Sequence, residues 1–441
     1  MRTNQNDAFI KPFRVAKYTA LRTKRRARRV ARRAVRWVRR KINKPKPPSF
    51  IEAAWSREIR VAFYVGANLN IIDGSSVWTQ STAEALHADP RLGIVMPMRY
   101  GDMRPVITGS LRSLERVALV DSTWFRTYRS MSSEEAIECI RWLDGMRRFD
   151  VVILRGFELC LTAARKGGFG DRLWSSYILE PERDVNDPEH IAGLNEIVRA
   201  SRYIVVQTDG MRTLLEGLVP ATAGKTVLLP PAIPSTDDLP FPSVEQRLFY
   251  TGKFAPQYPF LELVDIFKRL RNQYPALEFH VAGDKIFRTL TDSSFADAVE
   301  SSLSSTPGLT WHGGIPRTDV LALLARGGIG LNVWDPAYAH TMNDLVVPSK
   351  TLDYCSAGVP VIAQDTSTHR GLFGDDYPLL VSGPPDVEDR VELLLKDEAL
   401  YRESAERCRD AVKQFTYGAV SARLRPAIDE TVAAARAEAA R

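Results

Sequence analysis

Val346–Ala363, VVPSKTLDYCSAGVPVIA, holds a single carboxylate, Asp353, three residues after Lys350 and five before Gly358. Pro348, Ser349, Lys350 and Asp353 make a polar opening that reads as a helix start, and the positive end of a helix suits an anionic ligand. Gly358 closes that helix, and Val359–Ala363 follows as a buried parallel strand. An ordinary αβ unit with a capped helix has the same signature, so the surrounding pattern decides.

The alternation of strand and helix repeats on both sides of this unit. Apolar runs at Arg60–Val65, Leu92–Pro97, Phe149–Leu154, Arg202–Gln207 and Lys225–Leu229 form one series. A second comprises Arg247–Gly252, Leu277–Asp284, Thr310–Pro316 and Ile329–Pro336. Such alternation predicts an α/β class with parallel sheets covered on both faces. Between the series, Ser235–Gln246 is rich in Asp, Pro and Ser and reads as a linker. After the first run comes a loop with Gly66, Gly74, Ser75 and Ser76, then Val77–Leu86 at helical spacing. That order aims backbone N–H groups at an anion, although glycine in such loops also serves ordinary turns.

Val346–Ala363 resembles the C-terminal motif of the group 1 glycosyltransferases, whose donor site carries two acids eight positions apart, then a short helix and a Gly-x-Pro-Val-Ile strand. Asp353 matches the second acid, which in that family binds the donor ribose. A short carboxylate accepting two O–H bonds suits a vicinal diol. Leu345 stands where the first acid would be, leaving the donor-sugar contact to Asn343, Asp344, His340 or backbone N–H groups. Gly74 and Ser75 match the family's glycine-rich loop near the donor phosphates. The loop after Gly252 supplies, in the family, an Arg and then a Lys to the donor diphosphate. Lys253 fits the first position, and Tyr258 stands at the second without a charge. Lys350 is the expected replacement cation, with Lys285 a lesser one. Gly283, Gly314 and Ile315 fall where the family's strand-end loops meet the nucleotide, and Ser349 precedes Lys350 in the motif. His280 reads as a core histidine, and His312, beside two glycines, as facing the cleft. Relatives often have a histidine after the fourth N-terminal strand, near the donor sugar; Arg155 takes that place in this chain.

The resemblance implies the GT-B architecture, two Rossmann-like domains facing across a cleft. It divides the chain into residues 1–48 (basic amphipathic tail and Pro-rich linker), 58–234 (acceptor-side domain), 247–414 (nucleotide-sugar donor domain) and 415–441. The last part is C-terminal helices, the first crossing back to the N-terminal domain, and the alanine-rich Thr431–Arg441 is expected to fray. The implied reaction moves a sugar from a nucleotide diphosphate sugar to a lipid-linked or surface-glycan acceptor. It retains anomeric configuration and uses neither a metal nor a cofactor beyond the donor. Lys253, Lys350, Arg155 and Asp344 are the catalytic candidates. Two other readings stay open: a catalytically silent relative that binds a partner transferase, and another GT-B enzyme such as a sugar-nucleotide epimerase or phosphorylase. The last would need acid and base carboxylates or a cofactor lysine, and neither signature is clear.

Composition bounds these readings. A chain of 441 residues with 44% hydrophobic content can bury two ordinary cores. Cys139, Cys160, Cys355 and Cys408 lack Cys-x-x-Cys spacing, which predicts a reduced, cytoplasmic protein without a thiol metal site. No apolar run reaches the roughly 18 to 20 residues of a spanning helix, and no secretory h-region follows the basic start. Residues 1–48 hold 18 Lys and Arg against one acid, leaving 42 basic and 52 acidic residues in the rest. In the tail Ala27, Val30, Ala31, Ala34, Trp37, Val38 and Ile42 share a helical stripe ringed by arginines. Each arginine near an anionic leaflet contributes about 1 kcal/mol, so residues 11–43 are expected to attach to the inner membrane face. A nucleic-acid arm without sequence specificity, a transit peptide and a solvated tail fit the same composition.

Overall fold

A computed structural model of the chain describes residues 51–121, 130–179, 185–235, 242, 245–289, 293–335 and 345–439. The basic tail, most of the expected linker, and His340, Asn343 and Asp344 lie outside the described residues.

The first sheet has seven parallel strands. These are β1 (Ile59–Val65), β2 (Leu92–Pro97), β3 (Val117–Val120), β4 (Val151–Arg155), β5 (Leu173–Ser176), β6 (Tyr203–Val206) and β7 (Thr226–Leu228), in the order 3-2-1-4-5-6-7. The second has six parallel strands, β8 (Arg247–Thr251), β9 (Glu278–Ala282), β10 (Leu309–Trp311), β11 (Ile329–Asn332), β12 (Val361–Gln364) and β13 (Leu380–Val381), in the order 10-9-8-11-12-13. Both orders reverse direction once, between β1 and β4 and between β8 and β11. Ligands of doubly wound sheets bind outside the carboxyl ends of strands at such a switch point. β3, β5 and β13 are additions to the predicted series.

Period-two alternation sends the strands of the first sheet into two cores. Ala62, Tyr64, Val152 and Leu154 enter one, and Val61, Phe63, Val151 and Ile153 the other. Helix α1 (Ile51–Trp55), ahead of the expected domain start at residue 58, packs on β2 and β3. Helix α2 (Gly74–His87) follows β1, and α3 (Ser349–Ser356) precedes β12 and is followed by Gly358 at φ +72°. The last helix, α4 (Tyr417–Ala439), returns to the first sheet and buries Val420, Leu424, Ile428 and Val432 in its core. It does not fray at Thr431. That hydroxyl is buried and bonds the Trp174 indole N–H at 3.0 Å, and Ala435 beyond it is buried too. No described helix is long and apolar enough to cross a membrane.

Candidate active site

A cavity of about 380 Å³ lies between the carboxyl edges of the two sheets, within the usual range of small-molecule sites. Gly74, Ser75, Arg155, Gly252, Lys253, Gly283, Ile315, Ser349, Lys350 and Asp353 all line it. Gly314 does not: it packs on Asp284, where an added Cβ would come within 2.4 Å of Oδ2. His312 also turns away from the cavity. Its Nε2 lies 3.0 Å from Nδ1 of the buried His280, and burial and His280 lower its pKa.

Local bonds hold the β8 loop and α3 in register. The Thr251 N–H donates to the Tyr354 hydroxyl at 2.8 Å, and the Tyr250 hydroxyl donates to the Lys253 carbonyl at 2.7 Å. The Gly252 N–H donates to the Ala282 carbonyl at 2.8 Å, drawing the β8 and β9 loops together. Gly283, at φ +150°, lies so close that a Cβ would sit 1.9 Å from the Gly252 carbonyl oxygen. Any side chain there would force the two loops apart.

This frame places two ammonium groups against aromatic faces. Lys350 Nζ lies 4.5 Å from the Tyr258 ring centroid and 4.9 Å from that of Tyr250; Lys253 Nζ lies 5.4 Å from Tyr258. Tyr258, at the position where a second cation was expected, therefore acts as a platform for both lysines. Such contacts contribute about 0.5–2 kcal/mol each, which offsets only part of the cost of burying the charges. No carboxylate among the described residues pairs with either lysine. Burial, then repulsion from Lys253, brings the Lys350 pKa down to about 7. Burial and Lys285 lower that of Lys253, with Asp73 opposing. An anion between them would reverse both shifts.

The start of α3 adds to this positive field. Its N-cap, Pro348, makes no side-chain cap bond, and Pro348, Ser349 and Lys350 border the cavity. Asp353 sits one turn further on. Its Oδ1 accepts from Arg317 Nε at 2.8 Å and Nη2 at 2.6 Å, and Oδ2 accepts nothing among the described residues. Burial raises the Asp353 pKa, with Arg317 opposing. Burial would lower that of Arg317, but Asp353 and Tyr417 more than offset it and hold the guanidinium charged. Arg317 also donates to the Ala232 carbonyl at 2.8 Å, so the pair is anchored to the segment after β7. Sequence reasoning missed Arg317; its one signal is its place after Ile315 and Pro316, at a strand-end loop.

The opposite wall is arranged differently. Asp73 Oδ1 accepts from the Ser75 and Ser76 N–H groups at 2.9 and 3.0 Å, and the Ser76 hydroxyl closes a capping box. Of the donors expected to meet a ligand phosphate at Gly74 and Ser75, the Ser75 N–H is thus taken by the chain's own carboxylate. Asp73 Oδ2 pairs with Lys285 across the cavity at 2.6 Å, so Lys285 is not a spare cation. Burial raises the Asp73 pKa, and Lys285 with the two N–H groups outweighs it, holding the carboxylate below its ordinary value. Arg155, at the end of β4, is 9% exposed. Its guanidinium carbon lies 4.2 Å from the Tyr177 ring centroid and 5.0 Å from that of Trp78. Its Nε has no hydrogen-bond partner among the described residues.

Two Rossmann-like domains with their switch points on one cavity define the GT-B fold. Residues 263–425 match the family described as glycosyl transferase-like. Sucrose-phosphate synthase from Thermosynechococcus elongatus is similar in structure, with a TM-score of 0.62 at 14% identity over 85% of this chain and 100% of that one. The Anabaena protein HepE, in complex with UDP and glucose, has a TM-score of 0.62 at 10% identity over 84% of this chain and 100% of its own. No curated protein matches in sequence. The fold is thus GT-B, and the likeness to a glycosyl transferase-like family rests on residues 263–425.

Proposed function

We propose that the chain transfers a glycosyl group from a nucleotide diphosphate sugar, with retention of configuration and without a required metal, to a lipid-linked or surface-glycan acceptor. The observation that carries the donor assignment is Lys253 and Lys350, unpaired by carboxylates among the described residues, beside the uncapped start of α3. A diphosphate there neutralises both ammonium groups and accepts from the helix start. Asp353 Oδ2, which accepts nothing among the described residues, suits a ribose hydroxyl, and Arg317 opposes the burial that raises this carboxylate's pKa. In the reaction the bond between the anomeric carbon and the diphosphate oxygen breaks. The acceptor oxygen bonds that carbon on the same face, and its proton passes to the departing diphosphate. Lys253 and Lys350 meet the charge that develops on the leaving group, and the cavity holds donor and acceptor together.

HepE was solved with UDP and glucose, which makes UDP the first probe. A thermal-shift series with UDP, GDP, ADP and CMP and their sugar conjugates tests the reading, because a ligand of the native state raises the midpoint by mass action. A shift with one diphosphate that Lys253→Met removes is expected; no shift with any of them rejects the donor site. The silent-relative reading draws on Leu345, which replaces an acid and packs in the first domain's core. Nucleotide binding without turnover would favour it. For residues 11–43 we propose attachment to anionic lipid, tested by co-sedimentation of the full chain and of residues 49–441 with phosphatidylserine vesicles. Equal binding of both forms rejects it.

A further inference from the structure

Arg155 is a buried cation that the diphosphate site does not use. The lysine pair interacts internally, Lys253 depressing Lys350, whereas among the described residues the electrostatic partners of Arg155 are Tyr177 and Asp73. Asp73 does not neutralise it at close range, because one carboxylate oxygen caps α2 and the other holds Lys285. The two aromatic rings steady the guanidinium but accept none of its N–H groups in an ordinary hydrogen bond. Tyr177 is held against it at φ +51°, the only described non-glycine residue at positive φ, a strained placement of the kind that clusters at ligand sites. Arg155 lines the same cavity as the lysines, from the other domain. A donor whose diphosphate lay at Lys253 and Lys350 would share this cavity with Arg155, as would an acceptor meeting its sugar.

We propose that the group meeting Arg155 is the carboxylate of an acidic sugar, carried by the donor or by the reacting end of the acceptor. The inference rests on the donor-site reading above. A planar guanidinium pairs bidentately with a carboxylate, while a neutral hydroxyl would leave the buried charge uncompensated. The test uses the full chain with UDP-glucose against UDP-glucuronate and GDP-mannose against GDP-mannuronate, read by calorimetry. If the donor is acidic, the acidic member binds about tenfold or more tightly than the neutral one, and Arg155→Met abolishes that ratio. Arg155→Lys keeps part of it and guards against a folding defect. If the acceptor is acidic, the donors bind alike, and transfer to methyl glucuronide exceeds transfer to methyl glucoside by a similar factor that Arg155→Met abolishes. Equal or reversed preference in both arms, or an acidic preference that survives Arg155→Met, overturns the proposal. UDP and GDP alone gauge the nucleotide site separately. Binding of either leaves the donor reading standing whatever the acidic comparison shows; binding of neither overturns this proposal, and the donor reading as well where ADP and CMP also fail to bind.

Discussion

Two helix starts face the same cavity and handle the same electrostatic problem in opposite ways. At α2, Asp73 caps the first turn and carries its spare oxygen to Lys285, so the local positive field is met inside the chain. At α3 the N-cap is a proline without a side-chain acceptor, and the neighbouring Lys350 and Lys253 add charge with which no described carboxylate pairs. The sheets beneath share one strand order over their first six strands, so topology does not set them apart. The contrast lies in which helix start has spent its donors. The side that keeps its positive charge unmet is the side prepared for an anionic ligand.

The sharpest way to break this contrast is to remove the carboxylate of the α3 side. Asp353→Ala would leave Arg317 buried and uncompensated, at a cost of about 3–5 kcal/mol, seen as a large fall in the unfolding midpoint. Asp353 is therefore structural as well as ligand-facing, and its alanine variant is a poor probe of binding alone. A midpoint unchanged by Asp353→Ala would show that the pair carries no stability. Lys350→Met removes a buried charge with no partner, so it should leave stability equal or higher. It should weaken nucleoside diphosphate affinity by about 10- to 100-fold, the worth of a charged hydrogen bond of about 1.5–3 kcal/mol. Calorimetry with UDP and a melt of the ligand-free protein separate the two effects.

How much of this was legible in the sequence follows from the range of each interaction. The longer strands were, because apolar runs between glycine and proline signals are local. Lys253, Lys350 and Asp353 were, because they sit beside strand ends where ligands of this fold class bind. Arg317 was not: its partner lies 36 residues away, and a lone arginine after proline has no pattern to betray it. The Asp73 cap was within reach, since an Asp followed three positions later by Ser at a helix start is a capping signature. The glycine between them drew attention to a ligand phosphate instead. His312 misled for a similar reason, as its neighbouring glycines mark a turn while its ring finds His280.

The pH dependence sharpens the same comparison, with opposite signs for two readouts. With Lys350 near 7 when folded and in the ordinary lysine range when unfolded, the folded state binds fewer protons between those values. Its contribution makes stability rise with pH from about 7 upward. Ligand binding runs the other way. A bound diphosphate raises the Lys350 pKa, so binding takes up a proton and affinity falls above pH 7, by at most about tenfold per unit. A nucleotide sugar is the better probe, because its diphosphate does not titrate in this interval. Lys350→Arg, charged throughout, should flatten the affinity profile; a profile that stays steep assigns the effect to another group.

The smallest expected effect lies on the other wall and tests whether α2 is closed to anions only by its own cap. Asp73→Ala removes the cap and the Lys285 partner. Cap loss costs about 0.5–2 kcal/mol, and the exposed half of the ion pair adds little. The freed N–H groups of Ser75 and Ser76 and the released Lys285 would then form a second positive site facing the cavity. Inorganic phosphate should therefore restore more of the melting temperature in Asp73→Ala than it adds to the wild type. Equal phosphate stabilisation of both proteins would mean that the α2 terminus binds no anion once uncapped, and that the two helix starts differ by more than one carboxylate.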